Sequence, residues 1–87
     1  MSTTEKELDA IRRNQSDVSF ETIRKFLMRA GCRERASTGS HHVFYNPDKH
    51  VTAYPAGITV PYRRPVKKIY VRQFLEYYDA LMGTDNE

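Results

Sequence analysis

The hydrophobic patterning predicts an α+β domain: helix, three antiparallel strands, helix, with a short extra helix in front. Three observations predict it. Phe20, Ile23, Phe26, Leu27 and Ala30 recur at spacings of three and four, the signature of one apolar helix face. Val71, Phe74, Leu75, Tyr78 and Leu81 repeat that signature near the other end. Between them lie short alternating segments, separated by Thr38-Gly39-Ser40 and by Pro47-Asp48. Two helices can cover one face of such a sheet and leave the other open.

Residues 1–15 read as a short outer helix or a frayed arm, because Leu8 and Ile11 are its only strong apolar anchors. Asn14-Gln15-Ser16-Asp17 breaks the pattern. Ser19 is a good N-cap for the next helix, with Glu21 in its first turn and Gly31 as its stop. Residues 32–37 and 41–46 form a hairpin around Gly39-Ser40. A third extended segment covers 51–61, interrupted at Pro55-Ala56-Gly57 and strongest at Ile58-Thr59-Val60. The last helix spans about 69–82, with Gly83 beyond it. Tyr78 fits its buried face, whereas Tyr77 falls off that face and reads as a partner contact. The expected organisation is an arm over 1–17, a domain over 18–83 and a tail over 84–87.

Eighty-seven residues make one small domain with no room for a cofactor domain. A chain of this size buries only about 60–65% of its unfolded surface. No apolar run approaches the roughly 18–20 residues that span a bilayer, and the N-terminus does not read as a signal peptide. The single Cys32 fits a reducing compartment, so the expected location is cytoplasmic. Net charge is only +3, but it is unevenly spread. Residues 22–75 hold eleven bases and two acids, a balance of +9, while the two ends together carry −6. No acid interrupts 49–75. A basic centre between acidic ends suggests a polyanion site in the middle, or simply a solvated basic face.

Gly39-Ser40-His41-His42 puts imidazole at the start of a strand beside Arg33 and Arg35. Imidazole exchanges protons near neutral pH, and arginine is shaped to hold phosphate. The combination suggests chemistry on nucleic acid. Strand alternation separates His41, Val43 and Tyr45 from His42, Phe44 and Asn46. If Val43 packs under the helices, His42 and Phe44 lie on the open face, where Phe44 can stack on a base. The same divergence argues against His41 and His42 clamping one metal ion, and one cysteine completes no familiar ligand set. No metal and no cofactor are expected.

Gly39-Ser40-His41-His42-Val43-Phe44, then Thr59-Val60-Pro61, then Lys68-Ile69-Tyr70-Val71-Arg72-Gln73-Phe74-Leu75 together resemble the HicA-type toxins of bacterial toxin–antitoxin pairs. The resemblance covers most of 18–82. Gly-Ser-x-His alone is a weak signal; in this order and in a chain of this size it is more specific. The resemblance implies a fold like the double-stranded-RNA-binding domain. It also implies ribonuclease activity on messenger RNA and inhibition by a partner antitoxin of the HicB kind. The family's catalytic histidine falls on His42, with His41 at the variable position. Two departures stand out. The familiar Asp-Gly turn is replaced by Asp48-Lys49-His50, and the stretch 49–57 is longer than expected.

RNA carries its own nucleophile, the 2′-hydroxyl. Cleavage needs a base, an acid and cations at phosphorus, and no metal. His42 is the candidate for proton transfer, with His50 a distant candidate partner. The candidate RNA contacts are Arg33 and Arg35 on the first strand, Gly39, Ser40 and Phe44 around the motif, Arg63 and Arg64 after the third strand, and Lys67, Lys68 and Arg72 at the last helix. Control is expected from outside, by an acidic partner that lies across the open face and covers His42. Two other readings use the same residues: an RNA-binding module without chemistry, and a protein-interaction domain with a basic patch.

Overall fold

The structure, a computed structural model, describes residues 3–83. Its elements are α1 (Thr3–Arg13), α2 (Phe20–Arg29), β1 (Arg33–Thr38), β2 (His41–Tyr45), β3 (Ile58–Pro61) and α3 (Lys68–Met82). The fold class and element order are those the patterning predicts. The tail over 84–87 lies outside the described residues.

Helix α2 starts where its cap dictates: Ser19 Oγ accepts the Thr22 N–H at 3.2 Å. It ends at Gly31, whose φ of +92° turns the chain out of the helix. Phe20, Ile23, Phe26 and Leu27 are its buried side. Helix α1 is tied down rather than frayed. Ile11 is buried in the core, Arg12 pairs with Asp79 of α3, and Arg29 of α2 meets Glu7 and Thr4. Exposed pairs of this kind are worth about 0–1 kcal/mol each, so burial of Ile11 matters more.

The strands form one antiparallel sheet in the order β1-β2-β3. Ala36 and Val60 flank His42; Glu34 and Ile58 flank Phe44. The β1–β2 register slips between Ala36 and Thr38 as the hairpin closes. β3 is shorter than the extended segment expected over 51–61. Residues 51–57 are turns, and Gly57 presses against β2. At its φ of +90° a Cβ would stand 2.0 Å from the Phe44 carbonyl oxygen, so only glycine fits.

The two sides of the sheet are the reverse of those expected from Val43 packing under the helices. Phe44 is 0% exposed, and Ile58 and Val60 beside it are also buried. They face the helices, so alternation sends His42 to that side and Val43 and Tyr45 to the outer one. The physical reason is area, because Phe removes more apolar surface from water than Val. Tyr77 is also corrected. It is buried, and its hydroxyl accepts the Asn46 N–H at 3.1 Å, so it anchors α3 to the end of β2. Among the described residues, no helix is long and apolar enough to cross a membrane.

Candidate functional site

The Gly39-Ser40 turn closes the β1–β2 hairpin, with Gly39 at a φ of +49°. The Ser40 carbonyl accepts the Tyr62 N–H at 2.7 Å, which folds the segment after β3 back beside the start of β2. This places Tyr62 next to His42. The His42 ring lies 4.9 Å from the ring of Phe20, at the start of α2, and 6.4 Å from that of Tyr62. Phe20 and Tyr62 meet edge to face at 5.1 Å. His42 therefore sits in an aromatic corner, with its side chain still 24% exposed.

One carboxylate enters that corner. His42 Nδ1 is 2.8 Å from Glu34 Oε2, and the other Glu34 oxygen accepts from Arg24 Nε at 2.7 Å. The two atoms are within ion-pair distance, and a hydrogen bond between them needs the imidazole hydrogen on Nδ1, because a carboxylate only accepts. Tyr62 is held in turn by Glu21, its hydroxyl donating to Oε2 at 3.1 Å, and Arg64 approaches the other oxygen at 3.4 Å. The Glu21 carboxyl lies below its ordinary pKa, first through its own backbone N–H and then through Tyr62 and Arg64.

The expected phosphate contacts are dispersed. Arg33 and Arg35 pair with Tyr45 and Val43, which places them on the outer side, away from His42. The Arg35 guanidinium lies over the Tyr45 ring at 6.0 Å. Ser40 lines an open recess of about 190 Å³ with His41, Pro61, Arg63, Lys67 and Tyr70. Lys68 and Arg72 line another, of about 280 Å³, together with Arg12 and Arg13 from the end of α1. Gly39 is exposed in the turn. Arg64 stands beside Glu21. Phe44, expected as a stacking platform, is wholly buried and offers RNA no surface. His50 lies in the loop beyond the far end of β2.

Sequence reasoning missed Glu34, Arg24, Phe20 and Tyr62. Glu34 had a signal: it is the one acid in β1, and alternation opposes it to Arg33 and Arg35. With the hairpin register it falls diagonally across from His42, within reach of a long side chain. Arg12 and Arg13 belong to the end read as acidic, and only the packing of α1 against α3 brings them to Lys68. Among the described residues, no three His, Cys, Asp or Glu are placed to hold a metal ion. Cys32 is buried, and burial pushes its thiol up to about 11, which leaves it a protonated core residue at neutral pH.

The family described as HicA toxin of bacterial toxin–antitoxin matches residues 20–78, more than half of the chain. The matched span includes α2, the whole sheet and most of α3. No curated protein and no solved structure matches the chain.

Proposed function

The chain belongs to the HicA toxin family, and we propose that it is a metal-independent endoribonuclease that cleaves messenger RNA, with His42 as its proton-transfer group. The observation that carries this reading is the position of His42. It lies inside the matched span at the fourth place of Gly39-Ser40-x-His42, partly exposed, with Nδ1 against a carboxylate.

In this reading the 2′-hydroxyl oxygen attacks the adjacent phosphorus. Its proton goes to a base, and the 5′-oxygen leaves with a proton from an acid. The products are a 2′,3′-cyclic phosphate and a 5′-hydroxyl. His42 serves one of the two proton steps, typically worth about 10²–10⁴-fold. Arg63 and Lys67, which line the recess with Ser40 and His41, suit the phosphate charge. Lys68 and Arg72 extend that surface along the RNA. The fold reading that goes with this activity is the double-stranded-RNA-binding type, and the place of action is the cytoplasm.

The regulator in this reading is a HicB-like antitoxin. Because His42 faces the helices, a partner lying across the outer side of the sheet would not cover it. An occluding antitoxin has to reach Tyr62 and the start of α2.

The test is incubation of the purified protein with a long single-stranded RNA in EDTA. Cleavage to 2′,3′-cyclic ends by wild type and none by His42→Ala is the expected result. Salt-sensitive binding without cleavage would sink the reading and leave an RNA-binding module. Absence of both would favour a protein-interaction domain.

A further inference from the structure

We propose that Glu34 is a positioning residue for His42, locked in place by Arg24, so that Nε2 is the imidazole atom presented to RNA. The proposal rests on the reading of His42 as the proton-transfer group. Its physical content is a tautomer and a ring orientation.

The Glu34 carboxylate has two oxygens, and each has one partner. Oε1 takes the Arg24 Nε–H at 2.7 Å and Oε2 faces His42 Nδ1 at 2.8 Å. Two partners at opposite ends fix the plane of the carboxylate. Phe20 and Tyr62 flank the imidazole at 4.9 and 6.4 Å and restrict its rotation. Glu34 is largely shielded, at 19% exposure, whereas Arg24 is about half exposed. An Arg–Glu pair with one exposed partner contributes little to stability. What the arrangement can do is orient: the Arg24 hydrogen bond holds the carboxylate, and the carboxylate lies within ion-pair distance of Nδ1.

The consequence for chemistry is the same in either role of His42. As base, Nε2 takes the 2′-hydroxyl proton, and the imidazolium that forms keeps its Nδ1–H on the Glu34 carboxylate. As acid, Nε2–H gives its proton to the leaving 5′-oxygen, and the neutral ring left behind keeps the Nδ1–H form. Free imidazole prefers the opposite tautomer, with hydrogen on Nε2. Without Glu34, the lone pair needed at Nε2 is therefore present less of the time. The other charged groups of this corner, Glu21 and Arg64, engage Tyr62 and each other rather than His42.

The test compares Glu34→Ala, Glu34→Gln and Arg24→Met by imidazole ¹⁵N NMR and by RNA cleavage kinetics. In wild type, neutral His42 should be held as the Nδ1–H tautomer. Glu34→Ala should move it towards Nε2–H and lower kcat by about 10–100-fold with little change in KM, a part of the usual proton-transfer contribution. Glu34→Gln should keep much of the tautomer and of the rate, because an amide oxygen still accepts from Nδ1–H. Arg24→Met, at an exposed site, should show a smaller loss of both. A purely structural role predicts something different: lost stability with an unchanged tautomer and kcat. That result, in whichever of the three variants fold, overturns the proposal. The NMR arm does not depend on turnover. A wild type that holds the Nδ1–H tautomer yet cuts no RNA would refute the ribonuclease reading while leaving the Glu34–His42 contact standing.

Discussion

His41 and His42 are joined by one peptide bond and belong to two different environments. His42 turns under the helices, against Phe20 and Tyr62, with a carboxylate on Nδ1. His41 is exposed and lines a recess with Arg63 and Lys67. The same division runs along the sheet. Glu34, His42 and Phe44 face the core side, while Arg33, Arg35 and Tyr45 face outward. The comparison shows what a partly shielded corner provides that an open face does not: restricted rotamers and electrostatics less diluted by water.

The most severe test of that contrast is paired replacement of the two histidines. His42→Ala should lower RNA cleavage by about 10²–10⁴-fold, with circular dichroism unchanged. His41→Ala should stay within a few-fold of wild type. An inactive His41→Ala beside an active His42→Ala would invert the assignment of the two sides.

The second test is of packing, one residue pair further along β2. Phe44→Ala removes a fully buried ring and should cost about 3–5 kcal/mol in urea unfolding. Tyr45→Ala, on the outer side, should cost about 1 kcal/mol. Equal losses would mean that the outer side is as well packed as the inner one.

The contrast also explains how much was legible in the sequence. Helix α2 could be read from end to end, because a serine cap, a run at spacings of three and four and a glycine stop all agree. The hairpin was legible from its turn. Alternation, however, defines two sets of residues without saying which is inside, and both sets here contain apolar side chains. The difference in area between Phe44 and Val43 was the signal that decides it. Glu34 was hidden by its surroundings, as one acid within a basic stretch that drew attention to its arginines. The meeting of Arg12 and Arg13 with Lys68 and Arg72 left no local trace, because it depends on how α1 lies on α3.

A third test uses pH on the core side. Burial raises the Cys32 thiol from 9.0 to about 11, and it raises the Tyr77 phenol as well. A group whose pKa is higher folded than unfolded loses its stabilising share as pH rises. Below pH 9 the thiol is protonated in both states. Between pH 9 and 11 only the unfolded thiol ionises, so unfolding becomes easier. Two pKa units correspond to at most about 2.7 kcal/mol. Denaturation free energies measured from pH 8 to 11 should fall less steeply for Cys32→Ala than for wild type, by up to one proton. The Cys32 thiol also helps raise the Tyr77 phenol, so the difference between the two proteins includes the response of Tyr77. Parallel curves would contradict the burial argument for this thiol.

The smallest expected effect separates the two basic surfaces. In the proposed reading, an RNA strand that presents a phosphate to His42 would pass the turn end of β2, where Ser40, Arg63 and Lys67 line a recess with His41. Arg33 and Arg35 project from the other side of the sheet, and Arg35 is already engaged with Tyr45. Each phosphate contact on a single strand contributes about 0.7 to the slope of log affinity against log salt. Replacing Lys67 and Lys68 together with Ala should flatten that slope by up to about 1.4. The Arg33/Arg35 double replacement should change it by less than half as much. The Arg33/Arg35 replacement should leave kcat at saturating RNA unchanged, whereas loss of Lys67, which suits the phosphate charge, should lower it. The reverse order of slopes would put the RNA on the outer face, where His42 cannot reach it. In that case the aromatic corner would have to be explained as packing alone.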